Sequence, residues 1–418
     1  MTVAFTENLA IHGGPSAVTL DQDQFFRWPL TGEEEVEATS RLIRKGELSI
    51  SEETRTFERE FAGYIGCRHG VATNNGTAAI HSALFAAGLG PGDEVLVPTY
   101  TFWASAMQIF WTGAVPVLCD CEEETLGIDP VDMQRRITGR TRAVVVVHLW
   151  GLPSKMDEIC AVARKHNLVV VEDCSHAHGA LYHGKKVGAI GDLGAFSLQS
   201  SKLMVAGEGG ILVTDNEQMM ERATTLGHFK RVGQLSDKYS RYAVTGFGFK
   251  YRMSPLAAAI ARCQLRRLDE RNAIRNANVE RLSETLERLG LQTYRSVKGV
   301  SRQHYEWVIR YFPERFSGVG VDEFVAALKA EGVRVSANRY ARLHDQPLFR
   351  ELADGGQGLP AQFKAVAGKQ NYDPQTFPVA NRIVDNLISV PVATSPALEL
   401  MDQYAAAFEK VAARIERL

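Results

Sequence analysis

The sequence predicts an α/β fold: an open, parallel-type sheet covered by helices, with a smaller α+β unit after it. Three observations point there. Strand-like and helix-like runs alternate from Gly76 to Glu172, the rhythm of βαβ units. The strand-like runs are short, continuous and rich in Val and Leu, as in strands buried on both faces. After Gly290 that rhythm gives way to a mixed order of strands and helices.

Taken in order, the first 30 residues are irregular and Gly-punctuated, and are expected to wrap over the body. Helical patterns follow at Glu34–Arg44 and Glu52–Tyr64, the second carrying Phe57, Phe61 and Tyr64 at helical spacing. A helix at Thr77–Ala87 leads through Gly-Pro-Gly-Asp to strand Glu94–Pro98, helix Phe102–Trp111, strand Pro116–Cys119 and helix Pro130–Arg136. Strand Ala143–His148, helix Lys155–His166 and strand Leu168–Glu172 complete the run. Strands Gly194–Leu198 and Gly210–Thr214 bracket a Gly-rich segment. One long helix is expected over Pro255–Leu289, with Arg266, Glu270, Arg281 and Glu284 on a solvated face. Beyond it come strand Glu306–Phe312, helix Val321–Glu331, strands Val333–Asn338 and Ile388–Pro391, and a helix from Ala397, with Gly355–Asp373 expected as a long loop. The expected division is 1–30, irregular; 31–254, a large α/β domain; 255–289, an inter-domain helix; 290–418, a small α+β domain. A chain of 418 residues is long enough for two or three domains at roughly 150 residues each.

Composition narrows the function. Apolar residues are 45% and charged residues 23%, and 47 Lys and Arg balance 49 Asp and Glu. That leaves no electrostatic footprint for nucleic acid or an anionic membrane. The six cysteines form no CxxC pair, which fits free thiols in a reducing cytoplasm. No secretory leader is expected, because no apolar run precedes the first basic residue, Arg27. The longest apolar runs, such as Ala143–Val147, are too short to span a bilayer.

Ligands of open α/β sheets bind at the carboxyl ends of the strands, so the residues following each strand carry the chemistry. Asn74-Asn75-Gly76-Thr77-Ala78-Ala79 opens a helix with small residues. Taken alone it reads first as an ordinary N-cap, and second as a phosphate site on free N–H groups. Asp173 ends the Val-rich strand, and could cap a turn or hold a cationic ring nitrogen. His176 and His178 follow it; their spacing, with no third ligand in sight, is poor for a metal, and none is expected. Lys202 stands among small residues before Gly207-Glu208-Gly209-Gly210. Partial burial there would lower its pKa and make the amine a nucleophile, whereas a surface lysine would stay charged. A phosphate cradle, an acid for a ring nitrogen and a reactive lysine are together what pyridoxal phosphate requires.

These motifs resemble the pyridoxal-phosphate-dependent sugar aminotransferases of fold type I, the DegT/DnrJ/StrS family. The resemblance rests on Asn75-Gly76-Thr77-Ala78-Ala79, Gly90-Pro91-Gly92-Asp93-Glu94-Val95, Pro98-Thr99-Tyr100-Thr101-Phe102, Glu172 through Ala180, and Phe196-Ser197 through Lys202 to Gly210, within a match from Trp28 onward. It implies a mostly parallel, seven-stranded-type sheet and a homodimer with shared active sites. It implies Lys202 as the Schiff-base lysine and proton shuttle, Asp173 as partner of the pyridinium nitrogen, and His176 over the ring. Phe102 would stack on the ring, and Gly76, Thr77 and Ser197 would bind its phosphate. Where the family commonly has an Asn reaching the neighbouring subunit's phosphate, this chain has Lys250, in Gly248-Phe249-Lys250-Tyr251-Arg252-Met253. Lys202 separates the chain from relatives that carry His there and act as dehydratases. The Phe196–Gly210 stretch is similar to two branches, the glutamine-dependent keto-cyclitol (inosose) enzymes and the amino-hydroxybenzoate synthases. The implied activity moves an amino group from L-glutamine or L-glutamate to a keto-sugar or keto-cyclitol through the PLP and PMP forms of the cofactor, as in the making of aminocyclitols and related secondary metabolites. A dehydratase/aromatase and a cofactor-binding regulator without turnover are the rival readings. The segment Asn338 to His344 reads either as a substrate-side wall or as a surface turn.

Overall fold

Alternation of side chains across a pleated strand decides how the sheet is covered. In the computed structural model, residues 8–338, 340–366, 368, 370 and 372–418 are described. The strands are β1 (His69–Thr73), β2 (Glu94–Pro98), β3 (Val115–Cys119), β4 (Thr141–Val147) and β5 (Val169–Asp173), then a short hairpin of β6 (Leu181–Tyr182) and β7 (Lys185–Lys186), then β8 (Leu193–Ser197) and β9 (Gly210–Thr214). Seven of them form one sheet in the order β1-β9-β8-β5-β4-β2-β3. Strand β9 pairs antiparallel with both neighbours and the remaining pairings are parallel, so β9 alone runs against the rest. Val95, Val97 and Val145 face one helical layer, with Ile80 and Ala83 of helix Gly76–Ala86 and Ile109 and Phe110 of helix Trp103–Trp111. Leu96, Val144 and Val146 face the other, with Met156, Ile159 and Ala163 of helix Met156–His166. Burial on both faces is why these strands read as continuous apolar runs.

A second sheet joins β11 (Trp307–Arg310), β12 (Ser336–Ala337) and β13 (Leu387–Val390) in the order β11-β13-β12, and β10 (Val300–Ser301) extends the β6-β7 hairpin. Helices Val321–Ala330 and Leu398–Ala412 cover the β11–β13 sheet, and Leu9 and Val18 of the N-terminal segment pack into the same core. Glu331 ties that segment down: its carboxylate accepts from the backbone N–H groups of Ala10 and Ala17 and from Lys410 Nζ at 2.8 Å.

Three expectations need correction. The helical pattern Pro255–Leu289 is two helices, Pro255–Arg266 and Leu268–Arg288, broken at Arg267 (φ −107°, ψ 2°). The break has a polar cause: Gln264 and Arg271, one on each side, are hydrogen-bonded to each other and both donate to Leu30 O. The segment Val333–Asn338 supplies only the two strand residues Ser336–Ala337. The expected loop Gly355–Asp373 contains a helical turn, Ala361–Lys364, and is anchored by buried Phe363 and by Tyr372, whose hydroxyl donates to Pro116 O at 2.9 Å. Strand β1 went unread because His-Gly-Val-Ala-Thr has no apolar run to signal it; its partner β9 supplies the pairing.

Candidate active site

The parallel strands end on one edge, and the candidate site residues collect there. Strand β1 leads to Asn75, β4 to His148–Trp150, β5 to Asp173 and β8 to Ser197. Of these, Asn75, Trp150, Asp173 and Ser197 wall a cleft of about 400 Å³ shared with Phe102, His176, Lys202, Tyr305, Glu306 and Tyr340.

At one end, Asn75 caps helix Gly76–Ala86, its side chain accepting from Ala78 N at 2.8 Å. The N–H groups of Gly76 and Thr77 lie in the first turn, where a helix offers no intrahelical acceptor. Gly76 is there for closeness: a Cβ on it would stand 2.5 Å from Ser197 Cβ. The helix N-terminus, the Thr77 hydroxyl and the Ser197 hydroxyl thus converge on one small cradle, which its dipole makes attractive to an anion.

On the floor, buried Asp173 is held by two donors, Ser105 Oγ to Oδ2 at 2.7 Å and Ser175 N to Oδ1 at 3.1 Å. The neighbouring Glu172 points to the opposite side. It accepts from His148 Nε2 at 2.9 Å and from the N–H groups of Gly188, Ile190 and Gly191. Burial would raise its pKa, yet the His148 hydrogen bond and these amides hold it below the usual carboxylate range. His148, Glu172 and Cys174 bring their ligand atoms within 4.8 Å, but both Glu172 oxygens are committed to hydrogen bonds and no cation is needed to satisfy them.

His176 lies flat between two rings, 5.4 Å from Trp150 at 17° and 4.4 Å from Tyr305 at 24°. Its Nδ1 accepts the Trp150 N–H at 3.3 Å, which assigns the ring proton to Nε2. Burial, reinforced by the Lys202 charge, keeps its pKa well below the ordinary value, so the ring is neutral. Lys202 Nζ sits 4.4 Å over the Tyr305 ring. Burial pulls its pKa down to about 8, against the opposing pull of Asp173 and Glu306. An amine with a neutral fraction near pH 7, in one cleft with a buried acid, is the arrangement a nucleophilic lysine needs.

Phe102 is the N-cap residue of helix Trp103–Trp111 and exposes 44% of its surface on the cleft wall. Lys250 is not brought into the cleft lining: it is exposed, in a stretch that also exposes Phe247 and Phe249. Of Asn338 to His344, Tyr340 reaches the cleft and Arg339 lies outside the described residues. Reading the sequence missed Trp150, Tyr305 and Glu306.

These residues fit pyridoxal phosphate: the cradle would take its phosphate, Phe102 offers a free ring face, and Asp173 and Lys202 share the cleft as an acid for a ring nitrogen and an amine for an aldehyde. The expectation that His176 lies over the ring is corrected, because Trp150 and Tyr305 cover both its faces and leave only its edge for a ligand. The comparisons agree. The L-glutamine:scyllo-inosose aminotransferase of Streptomyces griseus is 34% identical over 421 residues, covering 97% of each chain. The GDP-perosamine synthase of Caulobacter vibrioides is 39% identical over 299 residues, 71% of this chain and 78% of that one. Among solved structures, DesV of S. venezuelae in complex with a ketimine intermediate is 30% identical, covers 92% of this chain and 95% of its own, and superposes with a TM-score of 0.76. Residues 29–409 match the DegT/DnrJ/EryC1/StrS aminotransferase family, and the chain belongs to it.

Proposed function

We propose that this aminotransferase takes the amino group of L-glutamine and delivers it to a ketone on a cyclitol or sugar ring, in the biosynthesis of an aminocyclitol or related secondary metabolite. The observation that carries this is the Lys202 amine, brought near neutrality in the same cleft as Asp173 and the free end of helix Gly76–Ala86. The relatives named for L-glutamine and inosose ketones support the substrate class. Pyridoxal phosphate, when bound, supplies the electron sink that acidifies the donor Cα–H and stores the amino group between half-reactions.

The chain's own residues then have distinct work. Asp173, fixed by Ser105 and Ser175, holds a proton on the ring nitrogen. Lys202 Nζ would take the donor Cα proton and return it to the cofactor carbon on the other side of the shared nitrogen. Neutral His176 donates from Nε2 toward the ring's phenolic oxygen. Gly76, Thr77 and Ser197 fix the phosphate so that these distances are kept. Trp103 and Tyr340, aromatic residues of the same cleft, would wall the acceptor side, with Phe102 against the cofactor ring.

The same reading includes a homodimer with shared sites. Exposed Val244, Phe247 and Phe249 are large apolar surfaces beside Lys250, suited to burial against a second copy. Lys250 would then place its charge on the partner's phosphate. A cytoplasmic location suits six cysteines that are all unpaired. Among the described residues no helix is long and apolar enough to cross a membrane. The test is single-turnover transfer from [amino-15N]glutamine. Label arriving on scyllo-inosose or its 2-deoxy analogue supports the reading; label lost as ammonia, with no aminated ring, would contradict it.

A further inference from the structure

We propose that Arg302 is a positioning residue for His176, acting through the Trp150–Gly151 turn. Arg302 is fully buried and, among the described residues, faces carbonyls rather than a carboxylate. Its guanidinium donates to Tyr294 O at 2.6 Å, Trp150 O at 2.9 Å and Glu306 O at 3.4 Å. Burial draws its pKa down to about 9. A buried cation matched only by carbonyl dipoles is a costly way to fill a core, and the cost falls where two wall segments meet.

The first segment is strained. Trp150 adopts a left-handed conformation (φ 55°, ψ 19°), which a bulky residue takes only when its surroundings enforce it. Gly151 is also left-handed (φ 81°), and a Cβ on it would stand 1.7 Å from Gln303 O. The second segment returns the grip: Gln303 N donates to Gly151 O at 3.0 Å, and Tyr305 N to Gln303 O at 3.1 Å. So Arg302 and Gln303 join the two stretches that carry the slabs on either side of His176, Trp150 and Tyr305. The same Trp150 whose carbonyl Arg302 holds donates its N–H to His176 Nδ1. Releasing that carbonyl lets the turn relax, withdraws the N–H and opens the sandwich to water. His176 then loses both its tautomer and its burial.

Lys202 and His178 act on His176 by charge, Trp150 and Tyr305 stack on its two faces, and Asp173, Glu306 and Tyr340 are the other titratable groups nearest it in the cleft lining. The Lys202 and His178 contributions lower its pKa alongside burial, so hydration moves it upward, toward the ordinary value of about 6.5.

The assignment of His176 to the cofactor rests on the proposed function, but its tautomer can be read without cofactor. Protein labelled with 15N in the histidine rings, prepared cofactor-free, is titrated by long-range 15N–1H NMR, with His176→Gln to assign the signal. In the wild type, His176 is expected to stay in the neutral Nε2–H form down to pH 5.5. In Arg302→Met it is expected to titrate within about one unit of 6.5, and the loaded enzyme to gain an acid limb, losing about 10-fold in rate from pH 8 to pH 5.5. Arg302→Lys, which can reach one carbonyl, is expected to titrate in between. A folded Arg302→Met protein whose His176 stays neutral and whose pH profile is unchanged would overturn the proposal, even with a lowered melting temperature. If Arg302→Met fails to fold, Arg302→Lys decides alone: an untitrated His176 there overturns it. A normal NMR result with no glutamine turnover would count against the proposed function and leave the clamp standing.

Discussion

Lys202 is governed by a contest between burial and two carboxylates. Burial wins, and the amine titrates near 8 instead of its ordinary 10.5. At pH 7 about a tenth of the amine is then neutral, against a few parts in ten thousand for an exposed lysine. The rate at which cofactor-free protein captures pyridoxal phosphate should therefore rise with pH and level off through a midpoint near 8. A midpoint above 10 would mean that Lys202 is solvated. Ser105 is the second residue-scale prediction. Ser105→Ala removes the 2.7 Å hydrogen bond that orients Asp173, and should lower kcat several-fold, in keeping with about 1 kcal/mol for such a bond. Cofactor affinity should change little, because no phosphate contact is touched. Asp173 and Lys202 were legible in the sequence, because a strand-end acid and a lysine before a glycine run are local signals. Arg302, Trp150 and Tyr305 were not. Their roles come from two segments roughly 150 residues apart in sequence meeting at one histidine, and no spacing rule encodes that.

Helix Gly76–Ala86 and the β5 end are where elements do chemistry. Gly76→Ala must push the helix from Ser197, since the new methyl would meet its Cβ at 2.5 Å. Displacement of the N–H cradle should weaken cofactor binding at least 10-fold, measured by equilibrium dialysis, with little loss of thermal stability. The β5 end depends on Glu172. Its folded pKa is depressed by His148 and three amides. The sign follows from linkage: the stabilisation is present above the unfolded carboxyl pKa of about 4.3 and is lost as pH falls through and below it. Glu172→Gln, which leaves buried donors facing an amide NH2, should cost about 1–3 kcal/mol, and its unfolding midpoint should become less acid-sensitive than that of the wild type between pH 5 and 3. The main-sheet strands with Val-rich runs were readable from pattern; β1 was not, because it is specified by its partner β9. The long helical pattern misled for a physical reason. Its period is unbroken in sequence, whereas the break at Arg267 is set by hydrogen bonds to Leu30, more than 230 residues earlier.

At the scale of the molecule, the sheet edge gathers the site, and the proposed homodimer would bury the exposed Val244, Phe247 and Phe249. Lys202→Ala and Lys250→Ala proteins, each impaired, should regain activity when unfolded together and refolded, because a two-fold hybrid holds one site free of both changes. Activity no higher than the sum of the parents would show that each subunit is self-sufficient. The α/β architecture and the sheet-edge location were legible early, since they follow from periodicity and from where such sheets bind ligands. The subunit arrangement follows from neither.

Lys202 as the residue that carries the cofactor and yields it to an amino donor is tested by the visible spectrum of the PLP-loaded protein and of Lys202→Ala, before and after L-glutamine, followed by borohydride reduction and mapping of the labelled peptide. The wild type should show a lysine-bound band that glutamine converts to the amine form of the cofactor, with the label on Lys202 only when glutamine is absent, and the variant should show no such band. A label on another lysine, or a wild-type band that glutamine leaves unmoved, would contradict that role.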